Sequence, residues 1–232
     1  MTQPIKFYFD LLSQPCRALY MFLEASKIPY EAVSISLMRG EHLSNDFKNN
    51  INRFQKVPAI KDEDFKLSES IAIFRYLVRE KIVPEHWYPH KGALRARIDE
   101  YMEWQHGNMR ACCTDYFRQK WLQPKLTNTE PNPEQVAQSE ARLNKCLAEF
   151  EQHWLKGEKY MITSNITIAD LLAICEIDQP KAVGFNPFKN YPRIADWHEL
   201  TREALEPYYH EANQVIDKIE GKQKEKVLQM KN

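Results

Sequence analysis

The chain has 232 residues, which is enough for one large domain or two small ones with a sizeable hydrophobic core. Hydrophobic residues make up 43% and charged residues 28%, which is ordinary for a soluble globular protein. Because 32 Lys and Arg balance 32 Asp and Glu, the formal net charge is zero, and no basic surplus indicates a nucleic-acid or anionic-membrane partner.

The first ten residues, MTQPIKFYFD, have no apolar segment behind a basic start, so no signal peptide is predicted. No apolar run of about 18 residues predicts a membrane-spanning helix. Five cysteines are an odd number, Cys112 and Cys113 are adjacent, and no pair has metal-ligand spacing. We therefore expect free thiols, no metal site, and a reducing, cytoplasmic location.

The chain begins with alternating strand and helix patterns. IKFYF, residues 5–9, predicts a strand, and Gln14 and Pro15 then open a helix. Proline is favoured at a first helical position because the N–H that it lacks would have no partner there. EAVSISL, residues 31–37, predicts the second strand, so the chain starts as a β-α-β unit.

A second unit follows after a connection. Residues 56–70, KVPAIKDEDFKLSES, predict two strands joined by a turn at 62–64, and a helix from 68 to about 81 follows. The order β-α-β and then β-β-α predicts a compact mixed sheet with helices. We therefore expect a thioredoxin-like domain over residues 1–82.

The remainder of the chain is predicted to be helical. Residues 83–93 are rich in proline and aromatic residues and are interpreted as a linker, while residues 94–232 carry apolar residues at helical spacing. Asn132 and Pro133 have the pattern of a cap and a first helical residue. TIADLLAICEI, residues 167–177, predicts a buried central helix that starts with a capping box. The fold class is thus α/β followed by all-α.

A serine and a cysteine three residues apart lie at the start of the first predicted helix. Thioredoxin-like redox proteins have cysteines at both positions, so Ser13 excludes an internal disulfide with Cys16. A hydroxyl at a helix N-terminus is placed to donate to an anion. The alternative for Ser13 is an ordinary helix cap, and Cys16 is expected to be a packed structural residue.

Seven short motifs in a characteristic order cover nearly the whole chain. They are FDLLSQPCRA (9–18), GEHLS (40–44), KVPAI (56–60), LSESIAI (67–73), HWYP (86–89), DEYMEWQH (99–106) and TIADLLA (167–173). With these motifs and the two predicted domains, the chain resembles the cytosolic glutathione S-transferases, and the first and sixth motifs favour the theta class. The resemblance implies a detoxifying homodimer that conjugates glutathione, its co-substrate, to small electrophiles such as alkyl halides or epoxides, with no other cofactor.

The resemblance makes Ser13 the residue that stabilises the glutathione thiolate. Lowering the thiol pKa by two units, from about 8.5, requires about 2.7 kcal/mol. A hydrogen bond to a charged group supplies about 1.5–3 kcal/mol, and helix N-terminal amides add about 0.3–1 kcal/mol. One hydroxyl at a helix start therefore nearly suffices to lower the pKa of the glutathione thiol by two units.

The resemblance also implies a set of glutathione-binding residues. Glu69 and Ser70, at a helix start, would bind the γ-glutamyl ammonium and carboxylate; their alternative role is a capping pair. Val57, before a cis Pro58, would pair with the cysteinyl main chain of glutathione, although Pro58 also suits a plain strand start.

Four further residues complete the set that the resemblance implies. His42 and Lys56 would reach the glycine carboxylate, and without the resemblance both would be interpreted as solvated surface. Arg110, placed on the fourth helix, would stabilise the thiolate or hold the leaving group; its alternative is a surface salt bridge. Gly107 would allow a ligand to approach closely in the electrophile site.

Two rival functions and one departure from the family pattern remain. The first rival is a non-catalytic binding or interaction module on the same fold, against which the intact Ser13, Glu69 and Ser70 argue. The second is a glutathione-dependent thiol–disulfide oxidoreductase, which the missing cysteine at position 13 disfavours. The departure is the lysine-rich tail from Lys218, which follows Trp197 without another tryptophan. The tail is predicted to be either frayed or laid over the protein. The resemblance implies that the tail covers the electrophile site as a lid, which would be shorter or more open here than in other theta-like proteins.

Overall fold

A computed structural model describes residues 4–229, except for the side chains of residues 226 and 227. Its mixed sheet has the order β2-β1-β3-β4. Strand β1 is central, parallel to β2 and antiparallel to β3, and the side chain of Phe7 on it is fully buried. The strands are β1 (Ile5–Phe9), β2 (Tyr30–Ser34), β3 (Ala59–Asp62) and β4 (Phe65–Ser68).

Three helices belong to this part of the chain, and the observed order of strands and helices confirms the prediction. They are α1 (Gln14–Ala25), α2 (Asn45–Asn50) and α3 (Ser70–Glu80). The pattern analysis missed the short helix α2, which is capped by the Ser44 hydroxyl accepting from the main-chain N–H of Phe47 at 3.1 Å. Helix α3 begins two residues later than expected because Ser68 still belongs to β4 and Glu69 has a positive φ of 71°.

The second part of the described chain is helical. After a 3₁₀ turn at Glu85–Trp87 come α4 (Ala93–Gly107), α5 (Met109–Phe117), α6 (Gln123–Thr127), α7 (Pro133–His153), α8 (Ile168–Lys181), α9 (Pro192–Leu205) and α10 (Tyr208–Gln229). A π-helical turn, Arg118–Leu122, joins α5 to α6. The predicted boundaries at 82 and 94 stay a prediction. No described helix is long and apolar enough to span a membrane.

One helix of the sequence prediction is broken in the structure. Helix α4 ends at Gly107, and Asn108 has φ −121° and ψ −91°, which is outside the helical region. The Asn108 side-chain amide donates to the carbonyl of Trp104 at 2.7 Å, in competition with the helical main-chain pattern. The placement of Arg110 on the same helix as Gly107 is therefore wrong, because Arg110 belongs to α5.

The predicted central helix is confirmed as α8, whose residues 168–180 are all buried. Its capping box is formed: the Thr167 hydroxyl accepts from the main-chain N–H of Ala169, and the Asp170 carboxylate accepts from that of Thr167 at 2.9 Å. Asp170 also accepts from the indole N–H of Trp197 at 2.9 Å, which attaches α9. Asn132 likewise caps α7, as predicted.

The C-terminal tail is ordered helix as far as the structure describes it. Helix α10 packs against α1, α8 and α9, and its residues from Lys218 onward line a groove on the side of α5 and α6. Residues 218–229 are therefore helical and not frayed, while most of their described side chains are exposed, so the prediction that the tail is laid over the protein stays a prediction. Residues 230–232 lie outside the described part.

Candidate active site

Ser13 lies at the turn between β1 and α1, as predicted. Its main chain is extended, its N–H donates to the carbonyl of Asp10 at 2.9 Å, and its own carbonyl accepts from the N–H of Arg17 at 3.1 Å. The Ser13 side chain is half-buried and accepts no capping hydrogen bond from the helix. The ordinary side-chain cap is therefore not formed, and the hydroxyl is available to another partner.

Cys16 is a packed residue inside α1, as expected. Its side chain is fully buried. Burial raises the pKa of Cys16 to about 12, although the neighbouring Ser13 hydroxyl acts in the opposite direction. Cys16 thus stays a neutral thiol at physiological pH, which does not suit a nucleophile.

Arg17 is a buried residue in the first turn of α1, and it was not predicted from the sequence to belong to the site. Its guanidinium donates to the carbonyls of Leu11 at 3.0 Å and Cys175 at 2.8 Å, and to the side-chain oxygen of Gln179 at 2.8 Å. These bonds attach the loop before Ser13 to helix α8 of the second half. The signal in the sequence is a charged residue within the apolar stretch of the first helix.

Asp10 joins the Ser13 turn to the loop after β2. Its carboxylate accepts from the main-chain N–H groups of Leu12 at 2.9 Å and Leu37 at 2.8 Å. Nearby His42 is half-buried, and its Nδ1 atom is buried without a partner among the described residues. Burial lowers the pKa of His42, while the charge of Asp10 opposes this. His42 is therefore more than a solvated surface residue.

The peptide bond between Val57 and Pro58 is cis. Strand β3 begins at Ala59, so the main chain of Val57 lies just beyond the sheet ladder, and the hydrogen bonds of the described residues include none to it. Lys56 is exposed, and its carbonyl accepts from the Asn52 side-chain amide at 2.7 Å. The loop is thus held by Asn52, while the Lys56 ammonium forms no ion pair within the part of the chain that the structure describes.

Glu69 and Ser70 lie at the start of α3, as predicted. Glu69 is exposed, has φ 71° and ψ 112°, and makes no side-chain capping bond. A positive φ is uncommon for a residue other than glycine, and such strained positions concentrate at ligand sites. Ser70, with 5% exposure, is the first helical residue. The charge of Glu69 also acts on His106 of α4, so this helix start faces the second half of the chain.

Arg110 contacts a buried carboxylate instead of forming a surface salt bridge. Its guanidinium nitrogen lies 3.6 Å from Oε1 of Glu176, whose side chain is fully buried in α8. Neither Glu176 oxygen accepts a hydrogen bond from the described residues, and the Arg110 nitrogen and the Tyr101 hydroxyl are also buried without partners. Burial raises the pKa of Glu176, while the charges of Arg110 and Arg17 and the nearby side-chain amide of Gln14, which is outside hydrogen-bonding geometry, oppose this. We call Arg110, Glu176 and Tyr101 the Glu176 cluster.

Gln14 connects the Ser13 turn to the helix that carries Arg110. The Gln14 side-chain amide donates to the Thr114 hydroxyl at 3.1 Å, and Thr114 follows Arg110 by one helical turn. The charges of Arg110 and Glu69 both act on the pKa of His106, so the start of α3 lies near the end of α4. The Gln14–Thr114 hydrogen bond thus ties the Ser13 turn to α5, and the charge effects on His106 place Glu69 and Arg110 near the end of α4.

Two predicted residues are less closely tied to these elements. Gly107 is the exposed last residue of α4, and a Cβ atom placed there would meet nothing within 4 Å. No neighbouring atom therefore requires glycine at position 107, and its role in allowing a ligand to approach closely stays a prediction. Lys56 is held only through its main chain. Within residues 4–229, no group of three His, Cys, Asp or Glu side chains is arranged to bind a metal ion.

Comparison with known families identifies two regions of the chain. Residues 7–79 match the model of the glutathione S-transferase N-terminal domain, and residues 114–203 match that of the glutathione S-transferase C-terminal domain. The first region contains the Ser13 turn and the start of α3. The second contains Thr114 and Glu176.

Similar proteins cover nearly the whole chain. Glutathione S-transferase theta-1 from Bos taurus is 40% identical over 220 residues, which are 94% of this chain and 91% of that protein. The structure of human glutathione S-transferase T1-1 in its apo form superposes with a TM-score of 0.89, at 38% identity, over 94% of this chain and 91% of the other. Human glutathione transferase theta-2, solved in complex with glutathione and an unknown ligand, has a TM-score of 0.89, at 33% identity, over 96% and 91%.

Proposed function

Because this chain belongs to the glutathione S-transferase family and is a theta-like enzyme with glutathione as its co-substrate, we propose that Ser13 holds the glutathione thiol as its reactive thiolate. The observation that carries the proposal is the Ser13 hydroxyl, which lies at the N-terminus of α1 without capping it. A hydroxyl donor and the positive end of the helix dipole both favour an anion at this point.

The reaction is a substitution or an addition at carbon. The thiolate sulfur forms a bond to the electrophilic carbon of an alkyl halide or an epoxide, and the bond from that carbon to halide or to the epoxide oxygen breaks. Ser13 keeps its proton and donates a hydrogen bond to the sulfur. Cys16 takes no part, because its buried thiol has a raised pKa.

Glutathione binds along the edge of the first domain. Glu69 pairs with the γ-glutamyl ammonium, and Ser70 at the helix start binds the adjacent carboxylate. The main chain of Val57, before cis Pro58, pairs with the cysteinyl unit as a short antiparallel strand. The unpartnered main chain of Val57 and the strained main chain of Glu69 support this arrangement.

The opposite end of glutathione and the reacting centre involve charged residues. His42 and Lys56 bind the glycine carboxylate, which agrees with the buried, unpartnered Nδ1 of His42. Arg110 stabilises the thiolate or the leaving group, next to an electrophile site that extends toward Gly107. Glu176 is the positioning residue for Arg110, because its carboxylate lies 3.6 Å from the guanidinium.

The enzyme acts as a homodimer, whose second copy covers the face formed by β4, α3 and α4. Phe65 is 49% exposed there and packs on Tyr76, with ring centroids 5.1 Å apart, at a hollow of about 390 Å³. An exposed aromatic side chain beside a hollow suits burial by a partner. Sedimentation at micromolar concentration should show a dimer that Phe65→Ser weakens, and a wild-type monomer would contradict this proposal.

The Ser13 proposal is tested by the thiolate absorbance of bound glutathione as a function of pH. In Ser13→Ala the pKa of bound glutathione should rise by about one to two units, because one charge-assisted hydrogen bond is lost. Turnover near neutral pH should fall by roughly ten- to hundredfold, with glutathione affinity largely kept. Ser13→Thr, which retains a hydroxyl, is the matched control. An unchanged thiolate titration in Ser13→Ala would remove Ser13 from the mechanism.

A further inference from the structure

A long groove starts beside the Ser13 turn and runs between two helical walls. It has a volume of about 1690 Å³ and reaches Asp10 and Leu12, the residues just before Ser13. One wall consists of α5, the π-helical turn and α6, and the other is the C-terminal part of α10. Ligand pockets for small molecules usually measure about 300–1,000 Å³, so this groove has room for an elongated molecule.

The floor and the inner walls of the groove are apolar. Tyr116 of α5 packs on Phe185, with ring centroids 5.4 Å apart, and Trp121 follows in the π-helical turn. Val215 and Ile219 of α10 line the groove from the other side. These side chains suit a hydrocarbon chain, which gains by leaving water.

The rim of the groove carries an excess of positive charge. Six lysines and four carboxylates line it, whereas the whole chain is neutral. Of the carboxylates, Glu220 is paired with Lys224, and Asp10 accepts two main-chain hydrogen bonds. Five lysines have no carboxylate within 4.0 Å among the described residues; they are Lys120, Lys125, Lys189, Lys218 and Lys222.

These five lysines come from separate parts of the chain. They belong to the π-helical turn, to α6, to the connection between α8 and α9, and to α10. Their convergence on one apolar groove therefore results from the tertiary fold and not from a local run of charge. An ammonium on a flexible stem is a mobile point charge that can follow an anionic group along the groove.

We infer that the acceptor substrate of this enzyme is an elongated apolar electrophile that carries a carboxylate. The inference rests on the proposed function, because it places the reacting end of the substrate beside Ser13, where Leu12 lines the groove. Gly107 and Arg110 do not line the groove, so the rest of the substrate lies outside that part of the site. The hydrocarbon part lies on Tyr116, Trp121 and Phe185, while the carboxylate meets the lysines of the rim. Each exposed charge contributes little, but several charges of one sign around an apolar groove attract an anion together.

A fatty acid with a terminal epoxide is a suitable probe of this class. The glutathione sulfur attacks the terminal carbon and forms a C–S bond, and the C–O bond at that carbon breaks. The resulting alkoxide takes a proton from solvent and becomes a hydroxyl. No oxidant or further reactant is required.

The test compares an eleven-carbon epoxy fatty acid with its neutral methyl ester, below the concentration at which either forms micelles. For the wild type, kcat/KM should be about tenfold higher for the acid, and added salt should remove the preference because it screens exposed charges. In the triple variant Lys125→Gln, Lys189→Gln, Lys222→Gln, the value for the acid should fall about tenfold and that for the ester should stay constant. The control variant Lys48→Gln, Lys156→Gln removes two exposed lysines outside the groove.

Binding of the unreactive eleven-carbon acid and of its methyl ester, followed by calorimetric titration, provides a measurement that does not depend on turnover. Equal kcat/KM for acid and ester, or an equal loss in the triple and control variants, would overturn the inference while leaving the transferase intact. If no electrophile is turned over, the proposed function fails, and the binding comparison alone decides. A preference for the acid that the triple variant loses would then still support an anionic ligand, and equal binding would refute it.

Discussion

Asp178 and Glu176 lie two residues apart on the buried helix α8, yet their surroundings differ. Asp178 accepts hydrogen bonds from Nε2 of His198 and from the hydroxyl of Tyr209, each at 2.8 Å. Glu176 accepts none from the described residues, and its nearest cation, Arg110, lies 3.6 Å away. A buried carboxylate with all its hydrogen-bond partners holds helices together, whereas one without them requires another explanation, such as a functional role or a bound water.

The two carboxyl groups are expected to respond to pH in opposite ways. Burial acts to raise the pKa of Asp178, but His198, Lys181 and Tyr209 outweigh it and hold that pKa well below its usual range. Asp178 therefore contributes stability above the unfolded-state pKa of about 3.9, and this is lost as pH falls. Burial raises the pKa of Glu176, so its contribution to stability is present at low pH and is lost as pH rises through the raised pKa.

Removing Asp178, the carboxylate that has its hydrogen-bond partners, should have the largest effect on stability. Asp178→Ala is expected to lower the free energy of unfolding by about 3–5 kcal/mol, because His198 and the hydroxyl of Tyr209 lose a buried partner. Urea denaturation followed by tryptophan fluorescence measures this. Asp196→Ala, at an exposed carboxylate of α9, is the control. If Asp178→Ala were as stable as the wild type, hydrogen bonding would not be what distinguishes Asp178 from Glu176.

A third carboxylate, that of Glu69, extends the comparison to a side chain that has no hydrogen-bond or ion-pair partner among residues 4–229. Glu69→Ala should weaken glutathione binding by about 1.5–3 kcal/mol, the scale of a hydrogen bond to a charged group, without lowering stability. Calorimetric titration with glutathione measures the affinity. Glu80→Ala, at the exposed far end of α3, should bind like the wild type. Full affinity in Glu69→Ala would exclude this residue from the site.

Neutralising Glu176, the carboxylate without hydrogen-bond partners among the described residues, should reduce activity without lowering stability. Glu176→Gln is expected to be at least as stable as the wild type near neutral pH, because the buried charge disappears. Turnover should fall about tenfold, equal to about 1.4 kcal/mol, since Arg110 loses its counter-charge.

The pH profile separates this role from packing. In the wild type, turnover should decline on the acidic side as Glu176 becomes protonated, at a pH above the usual carboxyl range because its pKa is raised. The charges that face it are those of Arg110 and Arg17, and the Tyr101 hydroxyl stays protonated because burial raises its pKa. This acidic limb should be absent in Glu176→Gln and present in Glu176→Asp. Identical profiles in all three proteins would disprove the positioning role.

The smallest effect is expected at Cys16, a buried group outside the surroundings of Asp178 and Glu176. Cys16→Ala should keep turnover within about twofold of the wild type and lower stability by about 1 kcal/mol through lost packing. Steady-state kinetics and urea denaturation measure both. If Cys16→Ala abolished activity while Ser13→Ala retained it, a thiol-exchange mechanism would replace the transferase mechanism.

The sequence by itself determined the order of the elements and several of their ends. Alternation, helical periodicity and capping residues predicted the β-α-β and β-β-α units, the start of α7 at Asn132 and the capping box at Thr167, all of which are confirmed. The position of Ser13 at the start of α1 was also predictable, because a proline follows it closely. These features depend on residues within a few positions of one another, so local geometry decides them.

Only the tertiary structure decided the surroundings of the functional groups. The bond from Arg17 to the carbonyl of Cys175 joins residues 158 positions apart, and that from Gln14 to Thr114 spans 100 positions. No local pattern encodes such pairs, and the same holds for the missing partners of Glu176 and for the lysines around the groove. Backbone periodicity is a property of neighbouring residues, whereas the partners of a buried polar side chain depend on which helices pack together, and this is why the sequence predicted Ser13 but missed Arg17 and Glu176.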